Sequence, residues 1–303
     1  MDGILPLWKE KGLTSHDCVM KVRKILQTKK VGHTGTLDPE VEGVLPLCIG
    51  EATKIVPYLL NTSKTYRATA LLGYATDTED HTGMKKDIKE VASALPTEKI
   101  EQALASFEGE ITQQVPLYSA VKINGKRLYE YARNAIPVER PYRQIYIHNI
   151  RFLSTTYDHV NNEQQIEFDV TCSKGTYIRT LCVDLGKMLG FPAHMLQLIR
   201  IASADFYKSD TITLNKLQLL KNENQKIPLL SMDKGLKHLD KLEVDEETKR
   251  KVLYGQKLPK PDKLPKTDFF RMVFDNQLLA IYQFHDNHKE IKPARVFRLD
   301  DRK

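Results

Sequence analysis

An α+β fold is predicted by three observations: strand-like runs alternating at a period of two, apolar helical stripes between them, and a spacing too irregular for repeated βαβ units. Near the N-terminus, Thr14 or Ser15 can cap a helix in which Val19, Val22, Ile25 and Leu26 form an apolar stripe. Lys21, Arg23 and Lys24 fall on its other face. A short helix follows at 52–60, where Ile55, Val56, Leu59 and Leu60 keep helical spacing. The run 64–73 is rich in β-formers and ends in the acidic loop Asp77-Thr78-Glu79-Asp80-His81-Thr82-Gly83. Thr97 opens a further helix that turns Ile100, Leu104 and Phe107 inward, and Asn124-Gly125 marks a tight turn. Ile145 and Ile147, and later Ile166, Phe168, Val170 and Cys172, alternate with polar neighbours as strands do. Near 172–181 a strand gives way to a helix, and 270–274 and 278–284 read as strands near the C-terminus.

A chain of 303 residues can bury a full core and accommodates one large domain with a small one. The expected boundary lies near 240, giving segments 1–240 and 241–303, with the Pro/Lys-rich stretch 257–266 inside the smaller. Lys and Arg number 46 against 39 Asp and Glu, a formal charge of +7 that suits a polyanionic partner and equally suits ordinary solubility. Clustering discriminates better. Residues 20–30 carry Lys21, Arg23, Lys24, Lys29 and Lys30 with no acid. Residues 122–151 interleave Lys122, Lys126, Arg127, Arg133, Arg140, Arg143 and Arg151 with Tyr129, Tyr131, Tyr142 and Tyr146, as RNA-binding surfaces do; a solvated face is the alternative for either cluster. The segment 241–303 holds fifteen basic and eleven acidic residues, which suits an accessory module gripping a phosphate backbone.

Four cysteines, Cys18, Cys48, Cys172 and Cys182, lack zinc-binding spacing and read as reduced, partly buried thiols. With neither a membrane-length apolar run nor a signal-peptide layout, a cytoplasmic protein is expected. No dinucleotide fingerprint, phosphate loop or metal cluster is visible, so neither cofactor nor metal is expected.

The chemistry centres on Gly32-His33-Thr34-Gly35-Thr36-Leu37-Asp38-Pro39. Glycines and a proline around one acid give a stiff turn that presents the Asp38 carboxylate; an Asx turn bonding its own backbone is the competing reading of that loop alone.

Two other segments decide between them: Lys64-Thr65-Tyr66-Arg67-Ala68 with its acidic loop, and Cys172-Ser173-Lys174-Gly175-Thr176-Tyr177-Ile178-Arg179. With the Asp38 loop, these resemble the TruB family of tRNA pseudouridine synthases. Supporting matches fall at Gly12-Leu13-Thr14-Ser15-His16-Asp17, Val115-Pro116-Leu117-Tyr118-Ser119-Ala120-Val121-Lys122 and Lys292-Pro293-Ala294-Arg295-Val296-Phe297, so the resemblance spans essentially the whole chain.

The resemblance implies a pseudouridine synthase fold: a mixed, largely antiparallel sheet crossed by a catalytic cleft over 1–240, a tRNA-binding insertion at about 122–151, and a shortened PUA-like domain at 241–303. It implies isomerisation of a T-loop uridine in tRNA, with the base flipped from its stack. Asp38 becomes the nucleophile, Arg179 its planar ion-pair partner, and Tyr66 a stacking platform better suited to that than to proton transfer. His33, Tyr177 and Leu198 match residues around the flipped base. Lys9 and Arg200 match lesser site-wall positions and could equally be phosphate contacts or solvated charges.

Two departures stand out from the family pattern. Lys9-Glu10-Lys11-Gly12 replaces Lys-Pro-x-Gly, and Val41 and Glu42 follow Asp38-Pro39 where the family has Ala and a variable residue. A guide-dependent rRNA pseudouridine synthase and a tRNA-folding chaperone remain alternative readings. The continuous segment 118–143 favours direct tRNA engagement over the first, and the intact Asp38, Tyr66 and Arg179 argue against a chaperone without catalysis.

Overall fold

The computed structural model describes residues 1–297 and divides into two compact units. The first gathers residues 1–39, 44–62 and the chain from 204 onward; the second comprises 40–43 and 63–203. Helices and strands intermix as expected for α+β.

In the first unit the strand Gly3–Lys9 is buried almost throughout, as its apolar GILPLW run requires. Its backbone is stitched to the later chain on both sides of Leu5. Ile4 N donates to Leu230 O at 2.8 Å and Leu230 N to Ile4 O at 2.8 Å. Trp8 N donates to Ile212 O at 2.9 Å and Ile212 N to Pro6 O at 3.1 Å. These bonds explain why residues beyond 204 cluster with the N-terminus.

The first helix, Ser15–Leu26, begins in a capping box. Thr14 Oγ1 accepts from Asp17 N at 3.0 Å, while Asp17 Oδ2 accepts from Thr14 Oγ1 at 2.6 Å and from Thr14 N at 2.9 Å, and these last two bonds hold the Asp17 carboxyl below its ordinary range. Its stripe of Cys18, Val19, Val22 and Leu26 packs with Leu214, Leu217 and Leu220 of the helix Leu214–Asn222. Arg23 leaves the predicted basic face, since its Nη2 donates to Val31 O at 3.0 Å. The predicted helix at 52–60 is a 3-10 turn, Gly50–Ile55, followed by a short α-helix, Val56–Leu60; Pro57, in the first turn, lacks the N–H that would join them.

Near the C-terminus, strands Asp240–Glu243, Phe269–Phe274, Gln277–Phe284, Glu290–Val296 and Leu258–Pro259 lie in that order in one sheet. Asp275 and Asn276, at φ 46° and 58°, form the turn of its central hairpin. One face buries Phe270, Met272, Ala280 and Tyr282; the other packs Val273, Leu278 and Ile281 with Ile55, Leu59 and Phe206. At about 1.5–3 kcal/mol per fully buried large apolar side chain, the second face is a substantial bond between segments before and after 240. Residues 298–303 of the segment expected at 241–303 lie outside the described residues.

The second unit is built on a sheet in which Ala193–Ser203, Lys64–Leu72, Glu163–Cys172, Tyr142–Asp158 and Gly109–Gln114 are successive antiparallel neighbours. A parallel pairing of Ile199 and Arg200 with Glu42 and Gly43 makes it mixed, matching the predicted sheet type. Gly43 is required there: at φ +135°, a Cβ would stand 2.3 Å from Arg200 O. The helix Ile178–Leu189 lies against this sheet, approaching so closely that a Cβ at Gly186 would meet the Ala193 Cβ at 2.3 Å. The predicted Asn124-Gly125 turn joins Lys122–Ile123 to Lys126–Arg127, with both turn residues at positive φ.

Candidate active site

The predicted site residues are distributed over both units. In the first, the loop around Asp38 is fastened immediately before and after the acid. Leu37, 4% exposed, donates its N–H to Ser15 Oγ at 2.9 Å. Pro39 O accepts from Lys9 Nζ at 3.0 Å and from Gly12 N at 2.9 Å. Further back, Thr34 donates to Pro46 O through its backbone N and its hydroxyl, each at 3.2 Å, and His33 Nδ1 accepts from Gly35 N at 3.4 Å. Asp38 itself is exposed. The stiffness expected of glycines and proline is therefore supplied largely by tertiary hydrogen bonds.

Lys9 corrects one sequence alternative. It is fully buried rather than solvated, and its ammonium spans Pro39 O and Glu10 O, the latter at 3.1 Å. A buried ammonium bonded to carbonyls satisfies its donors, so Lys9 acts as a clamp beneath the loop. His33 is half-buried at the end of the strand Val31–His33 that leads into that loop.

In the second unit the strand Lys64–Leu72 displays Lys64, Tyr66 and Ala68 on one face. Register places Arg200 opposite Tyr66 and Leu198 opposite Ala68, so Tyr66, Leu198 and Arg200 converge there. Tyr66 and Leu198 are half-buried, whereas Arg200 is 1% exposed, which excludes the solvated alternative for it as well. Lys64 was not foreseen. Burial first and the charge of Arg200 second lower its amine to about 8.

Arg179 lies in the first turn of Ile178–Leu189 and is 6% exposed. Its Nη1 donates to Thr78 O at 3.1 Å and its Nη2 to Tyr118 O at 2.9 Å. No side chain of Tyr177 caps that helix; Gln113 does the positioning instead. Tyr177 N donates to Gln113 Oε1 at 2.8 Å, and Gln113 Nε2 returns a bond to Tyr177 O at 2.9 Å. The Arg143 guanidinium lies 5.4 Å from the Tyr177 ring centroid. Gln113 was invisible to sequence reading because its partner is 64 positions away.

Among the described residues, the buried Lys and Arg side chains are Lys9, Lys64, Arg179 and Arg200, and no carboxylate is comparably buried. Exposed Asp38 thus contrasts with a set of sequestered cations. Within 122–151, Lys122, Lys126, Arg127 and Arg133 face solvent, and the Tyr129 ring centroid lies 5.7 and 5.3 Å from the guanidinium groups of Arg127 and Arg133. Arg140 and Arg151 are instead engaged by Glu79 and Asp169. All four cysteines are buried, and burial pushes the Cys48 thiol to about 12 and that of Cys172 to about 11. No group of three His, Cys, Asp or Glu able to hold a metal occurs among the described residues.

Residues 23–178 match the model of the TruB family pseudouridylate synthase N-terminal domain, and 179–242 match that of the tRNA pseudouridylate synthase B C-terminal domain. A protein of Oceanobacillus iheyensis named tRNA pseudouridine synthase B is 51% identical over the full length of both chains. One of the same name from Bacillus pumilus is 49% identical over 99% of each. A solved H/ACA RNP bound to a substrate RNA containing 2'-deoxyuridine superposes with a TM-score of 0.74 at 25% identity, covering 99% of this chain and 86% of that one. A Cbf5-Nop10-Gar1 complex gives 0.72 at 27% identity, covering 98% and 84%. By full-length identity and by the family models together, the chain belongs to the TruB family of pseudouridine synthases.

Proposed function

We propose that the chain isomerises a uridine in the tRNA T loop to pseudouridine in the cytoplasm, acting without a guide RNA. The bond from ribose C1′ to N1 breaks, a bond from C1′ to C5 forms, the C5 proton leaves and N1 gains one. The target base must leave its stack, which costs less in a structured loop than in a duplex. One observation carries the reading: the exposed Asp38 carboxylate sits on a backbone fastened at both neighbouring residues, as a group that must reach a substrate without wandering requires.

In this reading Asp38 is the nucleophile and Arg179 its charge partner. Tyr66 offers its ring to the flipped base, with Leu198 and Arg200 on the same sheet face. Tyr177 and His33 complete the base's surroundings, and Lys9 holds the nucleophile's loop. Lys122, Lys126, Arg127 and Arg133 grip phosphates, and the sheet following residue 240 assists them.

The second reading, a guide-dependent synthase, is favoured by the likeness to H/ACA structures. It is outweighed by near-complete alignment at about half identity with proteins named tRNA pseudouridine synthase B. Unmodified tRNA incubated with the pure protein and no other RNA, then mapped for pseudouridine, separates them. Modification of one T-loop uridine is expected; turnover only with an added guide RNA would overturn the proposal.

A further inference from the structure

Glu79 lies in the acidic loop at φ +65°, a backbone region that side-chained residues enter sparingly and hold only when the surroundings impose it. Three segments impose it here. Its Oε1 accepts from Arg140 Nη1 at 2.7 Å, and its Oε2 accepts from Thr180 Oγ1 at 2.7 Å. Its carbonyl accepts from Met195 N at 3.0 Å, and Met195 O accepts from His81 N at 3.0 Å. Arg140 also reaches Gln114 Oε1 through Nη2 at 2.5 Å.

The sequence neighbours of these partners give the arrangement its meaning. Thr78, directly before Glu79, supplies the carbonyl that takes Arg179 Nη1. Thr180, directly after Arg179, donates to the Glu79 carboxylate. Tyr118, whose carbonyl takes Arg179 Nη2, belongs to the stretch that Arg140 closes at its far end. Of the two carbonyls that take the Arg179 guanidinium, that of Thr78 belongs to the Glu79 loop, and that of Tyr118 lies four residues beyond Gln114, which Arg140 ties to Glu79. The ion pair is mostly enclosed, with Glu79 13% and Arg140 29% exposed, and it forms part of the wall of a cavity of about 860 Å³ lined also by Leu117, Ile136 and Phe191.

We propose that Glu79 is a positioning residue, which sets the Arg179 guanidinium by locking the acidic loop, the base of the insertion and the first turn of the helix into one arrangement. The proposal rests on the role given to Arg179 under the proposed function. Its carboxylate does not touch substrate; it acts through the donors and carbonyls around Arg179.

The test is single-turnover pseudouridine formation at saturating tRNA, measured beside tRNA affinity and thermal melting. Glu79→Ala and Arg140→Ala should each slow the saturated rate by about 10- to 100-fold while changing the dissociation constant by less than about threefold. The double variant should be little slower than either single one, since both remove the same link. Thr180→Val should lose rate and Thr180→Ser should retain it; this near-isosteric pair gives the same readout if the alanine variants do not fold. Wild-type turnover accompanied by saturated rates within about twofold in the Glu79 and Thr180→Val variants overturns this inference alone. A loss confined to affinity, or additive losses in the double variant, also overturns it. A wild type that modifies no tRNA uridine overturns the proposed function and this inference with it.

Discussion

The loop carrying Asp38 fixes its functional group through the backbone on either side, with Leu37 bound to Ser15 and Pro39 bound to Lys9 and Gly12. The helix carrying Arg179 does the reverse: the side chain itself is buried and bonded to the carbonyls of Thr78 and Tyr118. A carboxylate that must form a bond has to remain open, so its constraint must come from neighbouring residues. A guanidinium that acts through charge and orientation can be sequestered, provided carbonyls satisfy the donors withdrawn from water. The two regions should therefore fail differently when mutated.

Short of replacing the Asp38 carboxylate itself, the largest effect is expected at Arg179→Lys. An ammonium cannot reach both Thr78 O and Tyr118 O in the planar geometry of the fork, so the single-turnover rate at saturating tRNA should fall by about 100-fold or more. Quench-flow measurement of pseudouridine checks this, and a rate equal to wild type would remove the need for a fork.

Lys9→Met should act through the loop instead. The substitution keeps length but deletes the charged bond to Pro39 O, at a cost of about 1.5–3 kcal/mol in stability and about tenfold in saturated rate. Denaturant titration with the same kinetic assay would show both losses; a lower rate with unchanged stability would place Lys9 on the substrate rather than beneath the loop.

Lys126→Ala sharpens the contrast between grip and chemistry. Removing one phosphate contact should weaken tRNA binding severalfold and reduce the slope of log affinity against log salt by about one, with the saturated rate unchanged. A rate loss at saturation would show that the insertion positions the base.

The last expectation concerns pH, and it touches stability rather than rate. Because the Lys64 amine is lowered in the folded state to about 8, the unfolded chain binds more protons between that value and the ordinary lysine range near 10.5. Stability therefore gains a component as pH rises through this window, and below about 8 the burial cost is constant. The difference between wild-type and Lys64→Met melting curves from pH 8 to 10 should show that component, and a flat difference would contradict it.

Much of the fold was legible because its signals are local. The stripe from Val19 to Leu26, the Asn124-Gly125 turn and the alternation from Ile166 to Cys172 each reflect a preference that one segment imposes on itself. The Asp38 loop was legible as a turn flanked by glycines and a proline, but not what stiffens it, since Ser15 and Lys9 lie 22 and 30 positions from the residues they hold. Illegible features depend on partners far along the chain. Lys9 looks like a strand-end surface lysine until Pro39, 30 positions later, is folded over it. Gln113 has no sequence signature as a helix cap for Tyr177, and the Glu79 bonds to Arg140 and Thr180 span 61 and 101 positions. The packing of Val273, Leu278 and Ile281 with Ile55 and Phe206 was equally hidden, since a strand's alternation marks a buried face without naming its cover.

The most direct measurement uses tRNA carrying tritium at uridine C5, incubated with wild type and with Asp38→Asn while tRNA binding is followed in parallel. Isomerisation expels the C5 hydrogen, so wild type should release tritium stoichiometric with one T-loop uridine. Asp38→Asn, which keeps the fastened loop but loses the carboxylate, should bind tRNA with an affinity within about threefold of wild type and release none. Appreciable release by the pure variant, or none by wild type on tRNA that it binds, would contradict the account.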